Sequence, residues 1–213
     1  MRRSLSLVAV VALAVLLTGC ALLLLETSEL LYRETFSDTE DNDWPVQETD
    51  TVRKWFAEGK YQFELQENTH AVSKCSAAGE YGNFQLDVDA EHISGTDTKS
   101  VTGLVFRFVD WDNYYEFLVS PAGTFRLRKQ VAGVWEDIAG WTSHEAINAG
   151  VNANHLTVIA QGTSITCLVN SVEVLDATDS SFNSGQIGVV ALSYSGNTTL
   201  RAAFDNIEVH SVE

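Results

Sequence analysis

The chain is poor in several features that would assign it to common classes. It has only two prolines, Pro45 and Pro121, so no proline-rich stalk holds a domain away from its attachment point. Three cysteines are too few for a disulfide-dense scaffold, and their spacing makes no zinc pattern. Five histidines are scattered without a His-Glu-x-x-His pair, and there is neither a Gly-x-Ser-x-Gly elbow nor a glycine-rich phosphate loop. Basic residues are scarce: 13 Lys and Arg stand against 29 Asp and Glu, a net charge of −16, which argues against nucleic acid and anionic lipid surfaces as partners. Beyond the first thirty residues no helical period is sustained, apart from a single turn at Ser143–Asn148. The length, 213 residues, suits one large all-β domain with an ample core.

What is present begins at the N-terminus. Arg2 and Arg3 precede an apolar run from Leu5 to Leu17, the layout of a cleaved export signal. Leu17-Thr18-Gly19-Cys20 resembles a bacterial lipobox, which implies removal of residues 1–19 and a lipid on Cys20. The competing reading keeps Leu5–Leu25 as a membrane-spanning helix, since about 20 apolar residues suffice to cross a bilayer. Both readings export the rest of the chain and tether it to the cell envelope or surface. Residues 20–30 then form the lipidated cysteine and a short linker, and residues 31–213 the domain. With Cys20 acylated, Cys75 and Cys167 remain, either bridged as a disulfide or held as two small buried hydrophobes.

From residue 31 onward short alternating segments follow one another, separated by turn signals such as Asp110-Trp111-Asp112-Asn113 and Pro121-Ala122-Gly123. Phe84, Leu86, Val88 and Ala90 alternate with Gln85, Asp87, Asp89 and Glu91. Two strands flanking Glu58-Gly59 read as a hairpin. Many short antiparallel strands at this spacing predict a two-sheet jelly-roll sandwich, all-β apart from the N-terminal apolar helix.

The segments "GLVFRFVDWDNYYEFLVSPAGTFRLRKQVAGVWEDIAGW", "NHLTVIAQGTSITCLVN", "SGQIGVVA" and "FDNIEV" resemble the concanavalin A-like, laminin-G-like jelly-roll domains of bacterial surface proteins. The likeness runs from about Leu31 to Val209. It implies the fold and leaves glycan-binding modules, glycanases and structural modules open. One related group acts as 3-keto-disaccharide hydrolases; its Asn-Ser-Gly segment is replaced here by Ser100-Val101-Thr102-Gly103.

Hydrolysis on this fold needs two carboxylates a few ångströms apart. The jelly-roll glucanases carry Glu-x-Asp-x-x-Glu on one strand, and "QLDVDAEH" fails that pattern in both frames. Asp87, Asp89 and Glu91 share a strand face and read as the solvated surface of an acidic domain. No catalytic residue and no cofactor is assigned. Calcium is conceivable at Asp38, Asp41, Asp43 and Asp205, although turn and strand-end roles also explain these residues.

A meander over Val101–Gln130 supplies the ligand candidates. With Asp110–Asn113 as its first loop, Arg107 faces Glu116, and Glu116 faces Arg128. Leu104, Phe106, Phe108, Tyr115, Phe117, Val119, Phe125 and Leu127 then form the core face. The opposite face carries Arg107, Glu116 and Arg128 in a row, with Tyr114 and Arg126 beside them and Trp111 in the turn. That row is either a surface for carboxylates or sugar hydroxyls or a cross-strand charge ladder. Trp135 and Trp141 read as packing residues. The expectation is a lipid-anchored, noncatalytic envelope domain that binds a glycan or an envelope protein, against a saccharide hydrolase or an assembly module.

Overall fold

The computed structural model describes residues 28–38, 42–75, 78–95, 99–194, 196 and 199–212. The expectations for the signal segment, for Cys20 and for Asp41 lie outside the described residues. In chain order the strands are β1 (Leu30–Glu34), β2 (Gln47–Glu48), β3 (Val52–Ala57), β4 (Lys60–Leu65), β5 (Thr69–Lys74), β6 (Phe84–Ser94), β7 (Ser100–Asp110) and β8 (Asn113–Ser120). They continue with β9 (Thr124–Val131), β10 (Val134–Ser143), β11 (Ala153–Gln161), β12 (Ser164–Val169), β13 (Val172–Thr178), β14 (Gln186–Ser193) and β15 (Leu200–Ser211).

All pairings are antiparallel and fall into two sheets. One has the order β13-β12-β11-β6-β15-β4-β3-β2, with β1 also on β15; the other runs β10-β9-β8-β7-β14-β5. Alternation drives the arrangement. Phe84, Leu86, Val88 and Ala90 of β6 are buried between the sheets, and Leu104, Phe106, Tyr115 and Phe117 meet them from the six-stranded sheet. Phe106 stacks on Tyr115 at 5.1 Å and lies edge-on to Phe84 at 6.4 Å. The hairpin read at Glu58-Gly59 is present. Both residues have positive φ, 57° and 68°, the turn whose twist matches two antiparallel strands.

Two sequence expectations about β7 are corrected. Val105 lies opposite Glu116 and Phe106 opposite Tyr115, but the next matched pair is Asp110 with Asn113. The strand therefore bulges over residues 107–109, with Arg107 in the left-handed region at φ 46°. Arg107 does not face Glu116; it is fully buried. Phe108 leaves the expected core and joins a second apolar cluster, with Val105, Tyr114 and Leu118, on the outer side of the six-stranded sheet. The β8–β9 register is as expected, Glu116 opposite Arg128 and Leu118 opposite Arg126.

The Cys75–Cys167 bridge is not formed; both thiols are free and buried. Cys75 follows β5 and touches the Tyr32 hydroxyl of β1, while Cys167 lies on β12. β1 and β12 are separated in the same sheet by β15, β6 and β11, so the two cysteines sit over distant strands. A disulfide requires Cα atoms within about 7 Å.

Candidate functional site

Arg107, which the sequence placed in the row of the ligand face, is turned into the protein interior. Its Nη1 donates to the Phe182 carbonyl and its Nη2 to the Gly82 carbonyl, each at 2.9 Å. It pins two loops to the β7 bulge and contacts no ligand surface.

Tyr114, Glu116 and Arg128 do share the outer face, but they are not open to solvent. Glu116 is fully buried, and Arg128 and Tyr114 are 6% and 3% exposed. Arg128 Nη2 and Nε reach Glu116 Oε2 at 2.6 and 2.8 Å, and His70 Nε2 reaches Oε1 at 2.7 Å. The Arg128 guanidinium lies 3.7 Å from the centroid of Trp135, and the His70 ring is 5.7 Å from the same indole. His70 is on β5 and Trp135 on β10, the two edges of the sheet. Sheets twist by about 20–25° per strand, so diagonal corners of a six-stranded sheet lift towards each other. His70 and Trp135 are such corners, and they meet over Glu116. Burial and the neighbouring Glu116 carboxylate push the Tyr114 phenol well above its ordinary range.

The face is open at its margins. At the β5 edge a groove of about 500 Å³ is lined by Trp111, Lys54, Lys74, Val72, Asp43 and Gln47. Trp111 is 62% exposed and lies edge-on to Phe108 at 5.1 Å. Its turn is braced: the Asp110 carboxylate accepts from Asp112 N and Asn113 Nδ2, each at 2.8 Å, and Gly133 N bonds to the Asp112 carbonyl at 3.0 Å. Trp111 is thus presented from a preorganised loop.

Lys54 was missed by sequence reasoning, although a signal existed. Val52, Lys54 and Phe56 share one face of β3, so the lysine occupies an inward position between two apolar ones. It is 7% exposed, its Nζ lies 3.4 Å from the Val72 carbonyl on β5, and burial pushes its ammonium below the ordinary lysine range. Lys74 bonds to Gln186 Oε1 at 2.6 Å and lies 5.4 Å from the Phe108 ring. Trp141 lines a second, smaller groove of about 210 Å³ with Tyr194 and Val101.

The outer side of the nine-stranded sheet carries a different groove, of about 330 Å³. Both cationic side chains at this groove are paired with carboxylates. Lys60 pairs with Glu91 at 2.6 Å, and His155 sits between Asp87 at 3.4 Å and Asp89 at 2.8 Å. Asp87 is not solvated as expected but 8% exposed. Its burial raises its pKa, yet bonds from His155, Thr157 and Gln85 outweigh that and hold it below the usual range. Asp205 lies in this groove, away from Asp43 beside β2, and burial together with Asp89 raises its pKa. Among the described residues no three His, Cys, Asp or Glu side chains converge as a metal site.

Asp87 and Asp89 raise the His155 pKa from 6.5 to about 9. The stabilisation from this pairing is therefore complete below about pH 6.5 and is lost as pH rises through about 9. The imidazole is 40% exposed, so solvent screening keeps the effect small. Denaturant melts at pH 6.5 and 9.5 are expected to show a stability loss that His155→Ala abolishes; an unchanged slope in the variant would refute the assignment.

Residues 33–210 match the family described as the 3-keto-alpha-glucoside-1,2-lyase-like domain. No curated protein matches the sequence. Among solved structures, the chain is similar to the carbohydrate-binding module CBM66 from Bacillus subtilis, with 20% identity and a TM-score of 0.64, covering 79% of this chain and 96% of that one. It is also similar to a Bacillus subtilis protein of unknown function with a galectin-like fold, at 14% identity and a TM-score of 0.65, covering 87% and 98%. A Bacillus licheniformis beta-glucanase aligns at 14% identity with a TM-score of 0.61, covering 85% and 98%. At these identities the likeness establishes the jelly-roll sandwich.

Proposed function

The chain belongs to the family of 3-keto-alpha-glucoside-1,2-lyase-like domains, and from that premise we propose that it is a lipid-anchored, noncatalytic envelope domain that binds a saccharide in the Trp111 groove. The observation that carries the reading is an exposed indole on a braced turn at a groove of about 500 Å³ whose other walls offer Lys54, Lys74, Asp43 and Gln47. Sugar rings present an apolar face and a rim of hydroxyls, and an indole with amide, carboxylate and ammonium groups matches both. The relatives in this fold include a carbohydrate-binding module and a beta-glucanase, which supports a saccharide ligand. Location rests on the sequence pattern ending at Cys20.

The noncatalytic part rests on carboxylate placement. Glycoside hydrolysis needs two carboxyl groups about 5–10 Å apart across the scissile bond. Among the described residues lining the groove Asp43 is the one carboxylate, Glu116 is closed off by Arg128 and His70, and at the groove on the nine-stranded sheet Glu91 and Asp89 are held in ion pairs by Lys60 and His155. One observation favours a second reading: the buried Glu116 orients the half-exposed His70 imidazole at 2.7 Å. A histidine held in this way can act as a base towards the acidic C2 proton beside a 3-keto group, with loss of the C1 substituent.

A glycan array probed with the full chain, with and without calcium, tests the binding reading. Binding is expected, and Trp111→Ala should weaken it about tenfold or more while barely moving the melting temperature, stacking on an aromatic being worth about 1–2 kcal/mol. Unchanged affinity in Trp111→Ala sinks this groove as the site. Turnover of a 3-keto disaccharide that His70→Ala abolishes would replace the binding reading with the lyase.

A further inference from the structure

We infer that the groove beside β5 selects an acidic saccharide, placing a sugar carboxylate on Lys54 while the ring packs against Trp111; this rests on the saccharide reading above. Three features of the groove converge on an anion.

The first is the state of Lys54. Its ammonium carries three donors, and the contact found is a long one, 3.4 Å to the Val72 carbonyl. No ion pair involves Lys54 among the described residues, although it is 7% exposed. Other lysines are treated differently: Lys60 pairs with Glu91 at 2.6 Å and Lys129 with Asp179 at 2.7 Å. Burying a charge without a counter-ion is costly, and an ammonium in that position is a preformed partner for an incoming carboxylate.

The second is the local charge. The formal net charge of the chain is −16, yet among the described residues the ionisable groups lining this groove are Lys54, Lys74 and Asp43, a positive balance. Lys74 is already bonded to Gln186, so Lys54 is the cation whose bonding capacity is least used. Lys54 also cannot relax outward, because its stem is packed in the sandwich, with Nζ 5.9 Å from the Phe63 ring. Repacking β3 to avoid the buried charge would cost an inward strand position. The chain instead keeps a lysine there, with its ammonium at the Val72 carbonyl of an edge strand, where a ligand can reach it.

The third is that the charge is next to a stacking platform. Lys54 and Trp111 line the same groove from β3 and the β7–β8 turn. A free carboxylate would need only the lysine, and a neutral sugar only the indole. A sugar that carries its own carboxylate, such as a uronic acid, uses both. Asp43, also at the groove, repels a second carboxylate and accepts hydroxyl donors, which favours sugars with one acidic group at the Lys54 end.

Calorimetry on the full chain in detergent, with cellobiouronate, which carries one carboxylate, and its carboxyl-reduced, neutral counterpart cellobiose as the paired probes, decides the matter. The acidic probe should bind about tenfold or more tighter, the range for a hydrogen bond to a charged group in a partly buried site. That preference should shrink in 0.5 M salt less than a surface contact would. Lys54→Met keeps the packed stem and should bring the two probes close to parity. Lys54→Arg should retain the preference, and Trp111→Ala should weaken both probes together. Equal affinity of the wild type for both probes overturns the inference and leaves the saccharide reading standing. A preference that survives in a folded Lys54→Met also overturns it. Failure of both probes to bind a protein whose array ligand depends on Trp111 overturns the acidic specificity alone. Failure of every saccharide overturns the reading beneath it.

Discussion

Glu116→Ala is expected to lower the melting temperature by roughly 6–20 °C, from a loss of about 3–5 kcal/mol when one partner of a buried ion pair is removed. Glu116 is fully buried and is held by Arg128 at 2.6 and 2.8 Å and by His70 at 2.7 Å. Without it the Arg128 guanidinium remains against Trp135, 6% exposed, with its counter-charge gone. The cost comes from the orphaned charge and exceeds what the pair itself contributes. Removing both, as Glu116→Leu with Arg128→Met, should therefore recover most of the loss, since an apolar pair satisfies the same site. Differential scanning calorimetry of the two variants checks this. A shift below about 2 °C in Glu116→Ala would mean that the pair is solvated like an ordinary surface ladder.

The second large effect is at Arg107. Arg107→Ala is expected to cost about 2–4 kcal/mol, roughly 4–16 °C in melting temperature. The variant leaves the Gly82 and Phe182 carbonyls without their donor and opens a cavity beneath two loops. Some of that is returned, because the guanidinium was fully buried without a carboxylate partner. Arg107→Lys should fall between, as a single ammonium cannot fork to two carbonyls. Saccharide binding at Trp111 should persist in any folded Arg107 variant, because Arg107 does not line that groove. A melting temperature unchanged by Arg107→Ala would return Arg107 to the surface and reject the bulged register.

How much was legible beforehand follows the range of each interaction. The β3–β4 hairpin was readable from Glu58-Gly59 because a tight turn is decided by its own residues. The β8–β9 pairing was readable for the same reason, the Pro121–Gly123 loop fixing which residues face each other. One step earlier the same logic failed. The Asp110–Asn113 turn is present as expected, but two-residue periodicity cannot reveal the bulge behind it, whose partners are distant: Gly82, Phe182, and Gly185, at which an added Cβ would lie 2.5 Å from Arg107 backbone. That bulge moved Arg107 inward and Phe108 outward, and with them the proposed ligand face.

The sequence by itself determined the strand count in outline, the two-sheet class, the inward set from Phe84 to Ala90 and the adjacency of Glu116 and Arg128, because side-chain alternation and tight turns are local properties. Only the tertiary structure decided what those residues face. It closed the outer face by bringing His70 on one edge strand to Trp135 on the other, 5.7 Å apart, a consequence of accumulated sheet twist that no single strand encodes. It also assembled the groove from Asp43, Lys54, Lys74 and Trp111, four short segments that approach only when the edge of one sheet packs beside the edge of the other. An inward lysine on β3 was visible in the sequence as a polar residue between Val52 and Phe56; that its ammonium would lie at an open groove beside an exposed indole depends on the packing of the sheets.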